Sequence, residues 1–272
     1  MEVKGYDEHI NSQQRQASGA GRRGMTLSAG QPSQSQSSTG AHASVGQFFD
    51  QLSASYDAAI LKGIPPYAEL IGSVLGYCDM DSNRPWSILE LGCGTGNLSL
   101  AIREMFPKSK LTLVDLSPEM LTQAAAKLKQ AGTPEDHLTL VANGFMALDF
   151  QPQSFDLVIS SMALHHLLDS EKPVLYQRIF NWLKPGGLFR CVDETLSLPA
   201  FAQAKNMTLW EAWARESGAT TEDLQVWIDH AEQHDHYAPL AEHFRWLQAV
   251  GFSNVDCYWR KLMWTTFGAL KP

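Results

Sequence analysis

The feature that most constrains this chain is the segment Ile88-Leu89-Glu90-Leu91-Gly92-Cys93-Gly94-Thr95-Gly96-Asn97. An apolar run with an acid near its end passes into three glycines at alternate positions, and a helical pattern follows at once. Glycine lets a backbone turn through φ > 0 and lets a ligand approach it closely. The N–H groups exposed where a helix opens favour an anionic or polar ligand group. The segment therefore reads as strand, ligand-binding turn and helix. A dinucleotide fingerprint spaces its glycines G-x-G-x-x-G, whereas here the third glycine comes one residue early. Nineteen residues beyond Gly96, at the end of a second apolar run, stands Asp115. An acid there can accept both hydroxyls of a ribose. The competing reading is a plain tight turn with Asp115 as a helix-start acid, although Ser117 can supply that cap.

Around this loop the hydrophobic period keeps changing. Residues 87–91, 111–115, 138–141, 155–160 and 188–192 read as strands, and 97–106, 118–130 and 172–183 as helices. Such alternation implies right-handed crossovers and an α/β fold, with a mostly parallel, doubly wound sheet covered on both faces. Lys184-Pro185-Gly186-Gly187 reads as the turn feeding the fifth strand. Ahead of the first strand, 45–78 is helical, with Phe48, Phe49, Leu52, Tyr56 and Ile60 on one face and Pro65-Pro66 opening a second helix. After Glu194 the alternation lapses for roughly forty-five residues, far more than an ordinary connection. This insertion, 195–239, has helical patterns at 201–217 and 222–230 that carry Trp210, Trp213 and Trp227. A helix over 240–250 capped by Gly251 follows, then strands at 254–259 and 262–267. Only Arg260 and Lys261 separate those two, so they should form an antiparallel hairpin.

Four observations bound the class. The 272 residues are 44% apolar and 18% charged, an ordinary globular composition. Residues 1–44, rich in Gln, Ser and Gly, cannot bury enough apolar surface to offset their ordering entropy and are expected to be a disordered tail on a 45–272 domain. The net charge of −8 does not favour a surface that tracks nucleic acid, which would show as clustered Lys and Arg. No apolar run approaches the length of a bilayer, no secretory h-region opens the chain, and the four cysteines form no CxxC pair, so a reduced cytoplasmic setting is expected.

The blocks E-L-G-C-G-T-G, V-D-L-S-P-E-M-L, S-F-D-L-V-I-S-S-M-A-L-H-H-L and L-K-P-G-G, in that order over roughly residues 46–271, resemble the class I S-adenosylmethionine-dependent methyltransferases. The resemblance implies a Rossmann-like sheet of seven strands with an antiparallel C-terminal hairpin, and S-adenosyl-L-methionine as cofactor. It implies that Glu90, Gly92, Gly94 and Gly96, with Cys93 as filler of the loop, hold the amino acid end of that cofactor. Asp115 would hold the ribose, Leu116 and Met120 would flank the adenine, and the helix bearing Phe49 and Tyr56 would fold over the top. Ser161 would lie at the same sheet edge. The family's usual Gly-Asp after the third strand is here Ala142-Asn143-Gly144-Phe145. The adenine contact then falls either to the Asn143 carbonyl oxygen or to backbone from Gly144 to Phe145.

On the acceptor side, methyl transfer is an in-line displacement in which the protein aligns the nucleophile and removes a proton where needed. His165 and His166, just past the fourth strand, are the candidate catalytic residues; packing against the next helix is the alternative. Asp193 and Glu194 end the fifth strand and either meet the acceptor or start a helix. His230, His234 and His236 have a metal-like spacing but read as a solvated polar segment, so no metal ligand set is expected. Trp210, Trp213 and Trp227 either line the acceptor pocket or form core. A small molecule is the expected acceptor. A second reading is tRNA, because the C-terminal part is faintly similar to the tRNA uridine carboxymethyltransferases, with Arg215 as the candidate partner of a carboxylated cofactor. A third is a cofactor-binding module without turnover.

Overall fold

The computed structural model describes residues 38–272, with side chains from Ser44 onward. Of the expected tail, residues 1–37 lie outside the described residues. Helix α1 (Ser38–Leu52) begins ahead of the boundary drawn at residue 44, and α2 (Tyr56–Gly63) and α3 (Tyr67–Gly76) follow. The alternating part then runs β1 (Ser87–Leu91), α4 (Asn97–Met105), β2 (Lys110–Asp115), α5 (Pro118–Gln130), β3 (Leu138–Ala142), β4 (Phe155–Ser161), α6 (Lys172–Trp182) and β5 (Leu183–Glu194). The insertion is α7 (Ala200–Glu216) and α8 (Thr221–His234), and the chain closes with α9 (Leu240–Val250), β6 (Ser253–Lys261) and β7 (Trp264–Leu270).

The seven strands form one sheet in the order β3-β2-β1-β4-β5-β7-β6. The first five are parallel, and β7 lies antiparallel between β5 and β6. Strand order reverses at β1, whose neighbours are β2 and β4. Open α/β sheets bind ligands at such a point, outside the carboxyl ends of the strands. Burial explains why the strands read as unbroken apolar runs. Ile88, Leu157 and Ile159 face one apolar layer, while Leu89, Leu91 and Val158 face the other, so successive residues are all buried.

Local signals fix the helix ends. The Ser117 hydroxyl accepts the Met120 N–H at 3.0 Å and Pro118 opens α5. Gly251 ends α9 in the left-handed region at φ 111°. Two strand boundaries differ from the sequence pattern. Pairing carries β5 back through Pro185-Gly186-Gly187 to Leu183, which meets Phe155. The closing hairpin turns at Leu262 and Met263 rather than at Arg260 and Lys261, because Lys261 pairs with Trp264. Leu262 takes the left-handed conformation the turn needs, at φ 53°, and Met263 is buried. An apolar turn of this kind carries no polar signal.

The insertion packs as core. The Trp210 indole N–H donates to the Gly63 carbonyl at 2.7 Å, and the Trp227 ring lies so close to Gly63 that a Cβ there would come within 2.9 Å of it. Trp213 and Trp227 lie against the same apolar layer that buries Trp210. None of the three tryptophans lines the cleft at the sheet edge, so the acceptor-pocket reading of these residues is corrected. Aromatic residues at helical spacing have here followed the hydrophobic gain of packing onto α2. Trp210→Phe should therefore lower unfolding free energy by about 1–3 kcal/mol, the scale for stranding the buried Gly63 carbonyl. Urea titration measures this, and an unchanged midpoint would remove the bond from the docking of the insertion.

Candidate active site

Gly92, Gly94 and Gly96 all have positive φ, 72°, 51° and 83°. Two of them are glycine because protein fills the space a side chain would need. A Cβ on Gly92 would lie 2.3 Å from the Cβ of Ala163, and one on Gly96 would lie 2.9 Å from Cα and Cβ of Ala124 on α5. Gly94 differs: a Cβ there would meet only the Tyr56 ring, at 4.0 Å. That position faces the open cleft.

Asp115, at the end of β2, ties the loop to the next unit. Its two carboxylate oxygens accept the Gly94 N–H at 2.8 Å and the Ser117 N–H at 3.0 Å. Burial nevertheless raises its pKa above the ordinary aspartate value. The first turn of α2 is fastened to the same loop. The Asp57 carboxylate accepts from the Thr95 hydroxyl at 2.5 Å, the Asn97 amide at 2.9 Å and the Lys127 ammonium at 2.8 Å. Burial opposes the Asp57 charge, but these bonds hold its pKa below the usual value. This fastening was not foreseen from sequence; the only signal was the polar pair Thr95 and Asn97 within the glycine loop.

The cleft is half-open, and its empty space of about 890 Å³ includes the solvent at its mouth. Of the predicted cofactor residues, Tyr56, Glu90, Gly92, Cys93, Gly94, Asp115, Leu116, Met120, Gly144, Phe145 and Ser161 line it. Val45 and Phe49 of α1, Tyr67, and Met162, which has φ 53° just after β4, join them. Gly96 does not line the cleft, because it is pressed against α5. Asn143 does not either; its carbonyl oxygen accepts the N–H of Gly144 at 2.9 Å and the residue is exposed. That corrects the Asn143 expectation and leaves Gly144 and Phe145 at the wall. Glu90 is buried and accepts from the Ser99 hydroxyl at 2.6 Å; burial raises its pKa to about 8. Burial likewise pushes the Cys93 thiol well up, which suits filler and not a nucleophile. The Ser161 hydroxyl is buried without a hydrogen-bond partner. Polar groups at Asp115 and Glu90, apolar side chains at Leu116, Met120 and Phe145, and room at Gly94 fit a nucleoside joined to an amino acid.

The histidine pair divides. His166 lines the cleft, whereas His165 is buried behind it. The His165 imidazole Nδ1 is paired with Asp193, whose other oxygen accepts the His165 N–H at 3.0 Å. Burial disfavours the His165 charge, but Asp193 and then Asp235 raise its pKa to about 9. His166 goes the other way: burial and the charge on His165 lower it. Asp193 is thus neither a helix cap nor an acceptor contact. Glu194, raised by burial to about 7, accepts the Trp264 indole N–H at 3.1 Å and does not reach the cleft. His230, expected to be solvated, is buried against the stacked ring of Phe48 from α1. Arg215 is exposed at the end of α7, donating to Thr221 at 3.1 Å, away from the cleft lining.

A family model described as a methyltransferase domain matches residues 88–187. The carboxy-S-adenosyl-L-methionine synthase of Helicobacter hepaticus is 22% identical over 229 residues, 82% of this chain and 92% of its own length. The demethylmenaquinone methyltransferase of Lactococcus lactis is 35% identical over 120 residues, 43% of this chain and 46% of its own. Among solved structures, phosphoethanolamine N-methyltransferase 2 of Haemonchus contortus, in complex with S-adenosyl-L-methionine, matches with a TM-score of 0.55 at 16% identity, over 76% of this chain and 53% of that one. The cyclase SpnF matches with a TM-score of 0.55 at 14% identity, over 85% and 96%. These structural likenesses are of fold. Residues 88–187 thus carry a methyltransferase domain, and the chain is an S-adenosylmethionine-dependent enzyme of that type, with S-adenosyl-L-methionine as cofactor.

Because Gly96 has both φ 83° and no room beside Ala124, Gly96→Ala should destabilise the fold by at least about 1 kcal/mol. Denaturant unfolding checks this, and full stability in the variant would show that α5 moves aside without cost.

Proposed function

We propose that this chain transfers a methyl group to a small, uncharged or cationic acceptor that enters the cleft beside His166. The observation that carries this reading is the cleft lining. His166 forms part of the wall, and among the described residues no Lys or Arg lines the cleft. An acceptor bearing phosphate or carboxylate would leave its charge unpaired there. The same lack of basic groups disfavours tRNA and a carboxylated cofactor, despite the likeness to a carboxy-S-adenosyl-L-methionine synthase. The cofactor supplies an activated methyl group on a sulfonium. Gly94, Asp115 and Glu90 would hold that cofactor, Leu116, Met120 and Phe145 would flank its adenine, and Tyr56 with Phe49 would exclude water above it. His166, kept uncharged, meets the nucleophilic atom of the acceptor, and His165, fixed by Asp193, stands behind it.

Three outcomes test the reading. S-adenosylhomocysteine should bind in calorimetry without competition from NAD, and Asp115→Ala should weaken it by about 1–3 kcal/mol, the scale for an unsatisfied polar partner. Unchanged affinity would remove Asp115 from the site.

The second outcome is a proton. In the free protein Glu90 titrates at about 8, so near pH 7 it is mostly protonated. The raised value means that folding is favoured while Glu90 keeps its proton, and that this advantage is lost as pH rises through about 8. The ammonium of the bound cofactor favours the ionised form, so binding near pH 7 should release a proton and affinity should rise toward pH 8. Calorimetry in buffers of different ionisation enthalpy reads the release, and Glu90→Gln should abolish it. Release that persists in that variant would place the proton elsewhere.

The third is turnover. With an acceptor found by screening metabolite pools for S-adenosylhomocysteine formation, His166→Ala should lower kcat by about 100-fold or more. Cofactor affinity should stay within a few-fold. Equal turnover would move the acceptor away from His166.

A further inference from the structure

The His166 wall continues inward into a buried cluster whose other members, His230 and Asp235, the proposed methyl transfer does not call upon. We propose that His165, His166, His230 and Asp235 bind one divalent transition-metal ion of the zinc type. His165 and His166 belong to the single turn after β4, Leu164–His166, while His230 stands in the last turn of α8 and Asp235 follows that helix directly. Three imidazole nitrogens surround one carboxylate oxygen. The Asp235 Oδ1 lies 2.8 Å from Nδ1 of His166 and 3.8 Å from Nε2 of both His165 and His230. The ligating atoms of His165, His166 and Asp235 all lie within 4.8 Å of one another. A tetrahedral ion with bonds of about 2.0–2.1 Å spaces its ligand atoms about 3.3 Å apart, which these separations bracket. Imidazole with one carboxylate is a donor set that such ions take.

The unpaired atoms point the same way. Both ring nitrogens of His230 are buried and have no hydrogen-bond partner, and Nδ1 of His166 and Oδ1 of Asp235 are buried with none but each other, 2.8 Å apart. Buried polar atoms are almost always paired, and leaving several unpaired in one place is costly. An ion at their centre would engage three of these four atoms, the second ring nitrogen of His230 excepted. The atoms on the far side of two ligands are already held. Asp193 takes Nδ1 of His165, and the Tyr237 hydroxyl donates to Oδ2 of Asp235 at 2.6 Å. Carboxylate behind histidine and a donor behind carboxylate are the outer contacts that orient metal ligands. The helical spacing of His230 and His234 is not the ligand pair: the ring Nδ1 of His234 lies 3.4 Å from the Ser44 hydroxyl, at hydrogen-bond distance. The ion would fasten the end of α8 to the turn after β4. It would also put a fixed positive charge behind the His166 wall, a consequence that rests on the acceptor entering there.

The test uses the full chain, stripped with a chelator, reloaded with Zn²⁺ or Co²⁺, desalted and analysed for metal by mass spectrometry. S-adenosylhomocysteine affinity is measured on the same samples. A single equivalent per chain, a raised melting temperature and visible absorption of the Co²⁺ form are expected. His230→Gln and Asp235→Asn should each weaken Zn²⁺ binding about 10-fold or more, while His234→Gln leaves it unchanged and all three variants still bind S-adenosylhomocysteine. Should either ligand variant lose that binding through misfolding, X-ray absorption of the wild-type Zn²⁺ form decides, by counting imidazole ligands. Wild-type protein that binds S-adenosylhomocysteine but retains neither metal would overturn the proposal, as would metal retained equally by folded ligand variants. Failure of wild-type protein to bind S-adenosylhomocysteine would instead count against the methyltransferase site.

Discussion

The backbone from Gly92 to Gly96 is squeezed between two neighbours, and the cleft takes its shape from that squeeze. Ala163 presses on one side of the loop and Ala124 on the other. Those two alanines belong to the segments that follow β4 and β2, the strands on either side of β1. The loop therefore sits at the reversal of strand order, and its left-handed glycines turn the chain there without side chains filling the space. Asp115 completes the arrangement from β2 by accepting an N–H from the loop and one from the start of α5. A single carboxylate thus holds two backbone segments in register while facing the cleft.

Charge is distributed unevenly around that loop. At one end, Glu90 is buried with a single hydroxyl partner and Asp115 with backbone donors, so burial raises both pKa values. Such groups are poised for a cationic or hydroxyl-bearing partner. At the other end, with no ion bound, Asp193 and Asp235 raise the pKa of His165 to about 9, while that of His166, next to it in sequence and at the cleft wall, is lowered. The two pKa values are pushed apart because burial lowers that of His166, with its neighbour's charge adding to this, whereas a buried carboxylate on Nδ1 of His165 outweighs burial there. Helices α1 and α2 connect the two ends, since Phe49 touches the His166 ring at 5.5 Å between centroids and Asp57 grips the glycine loop.

Much of this was legible before the fold was known. The loop, Asp115, the alternating elements and the antiparallel closing hairpin follow from local rules: where glycine is needed, where the period changes, and how few residues separate two strands. Two boundaries were misplaced for opposite reasons: at Leu183–Gly187 pairing with β4 overrode the Pro-Gly-Gly turn signal, and at Leu262–Met263 an apolar turn carried no polar signal. Asn143 was misjudged because a side chain that can bond its own backbone does so when nothing more distant competes.

What the sequence by itself determined was the parallel sheet, its reversal and the cofactor end of the cleft, because each depends on residues close together in the chain. The tertiary structure alone decided the rest. Whether a tryptophan of the insertion faces ligand or core depends on how that insertion docks on α2. Whether His230 is solvated or buried beside His166 depends on where the end of α8 comes to lie. Asp57, Thr95 and Lys127, and likewise His165, Asp193 and Asp235, meet only because folding closes long loops. No local spacing records which polar groups will be deprived of water together, and it is that shared burial which sets their charges.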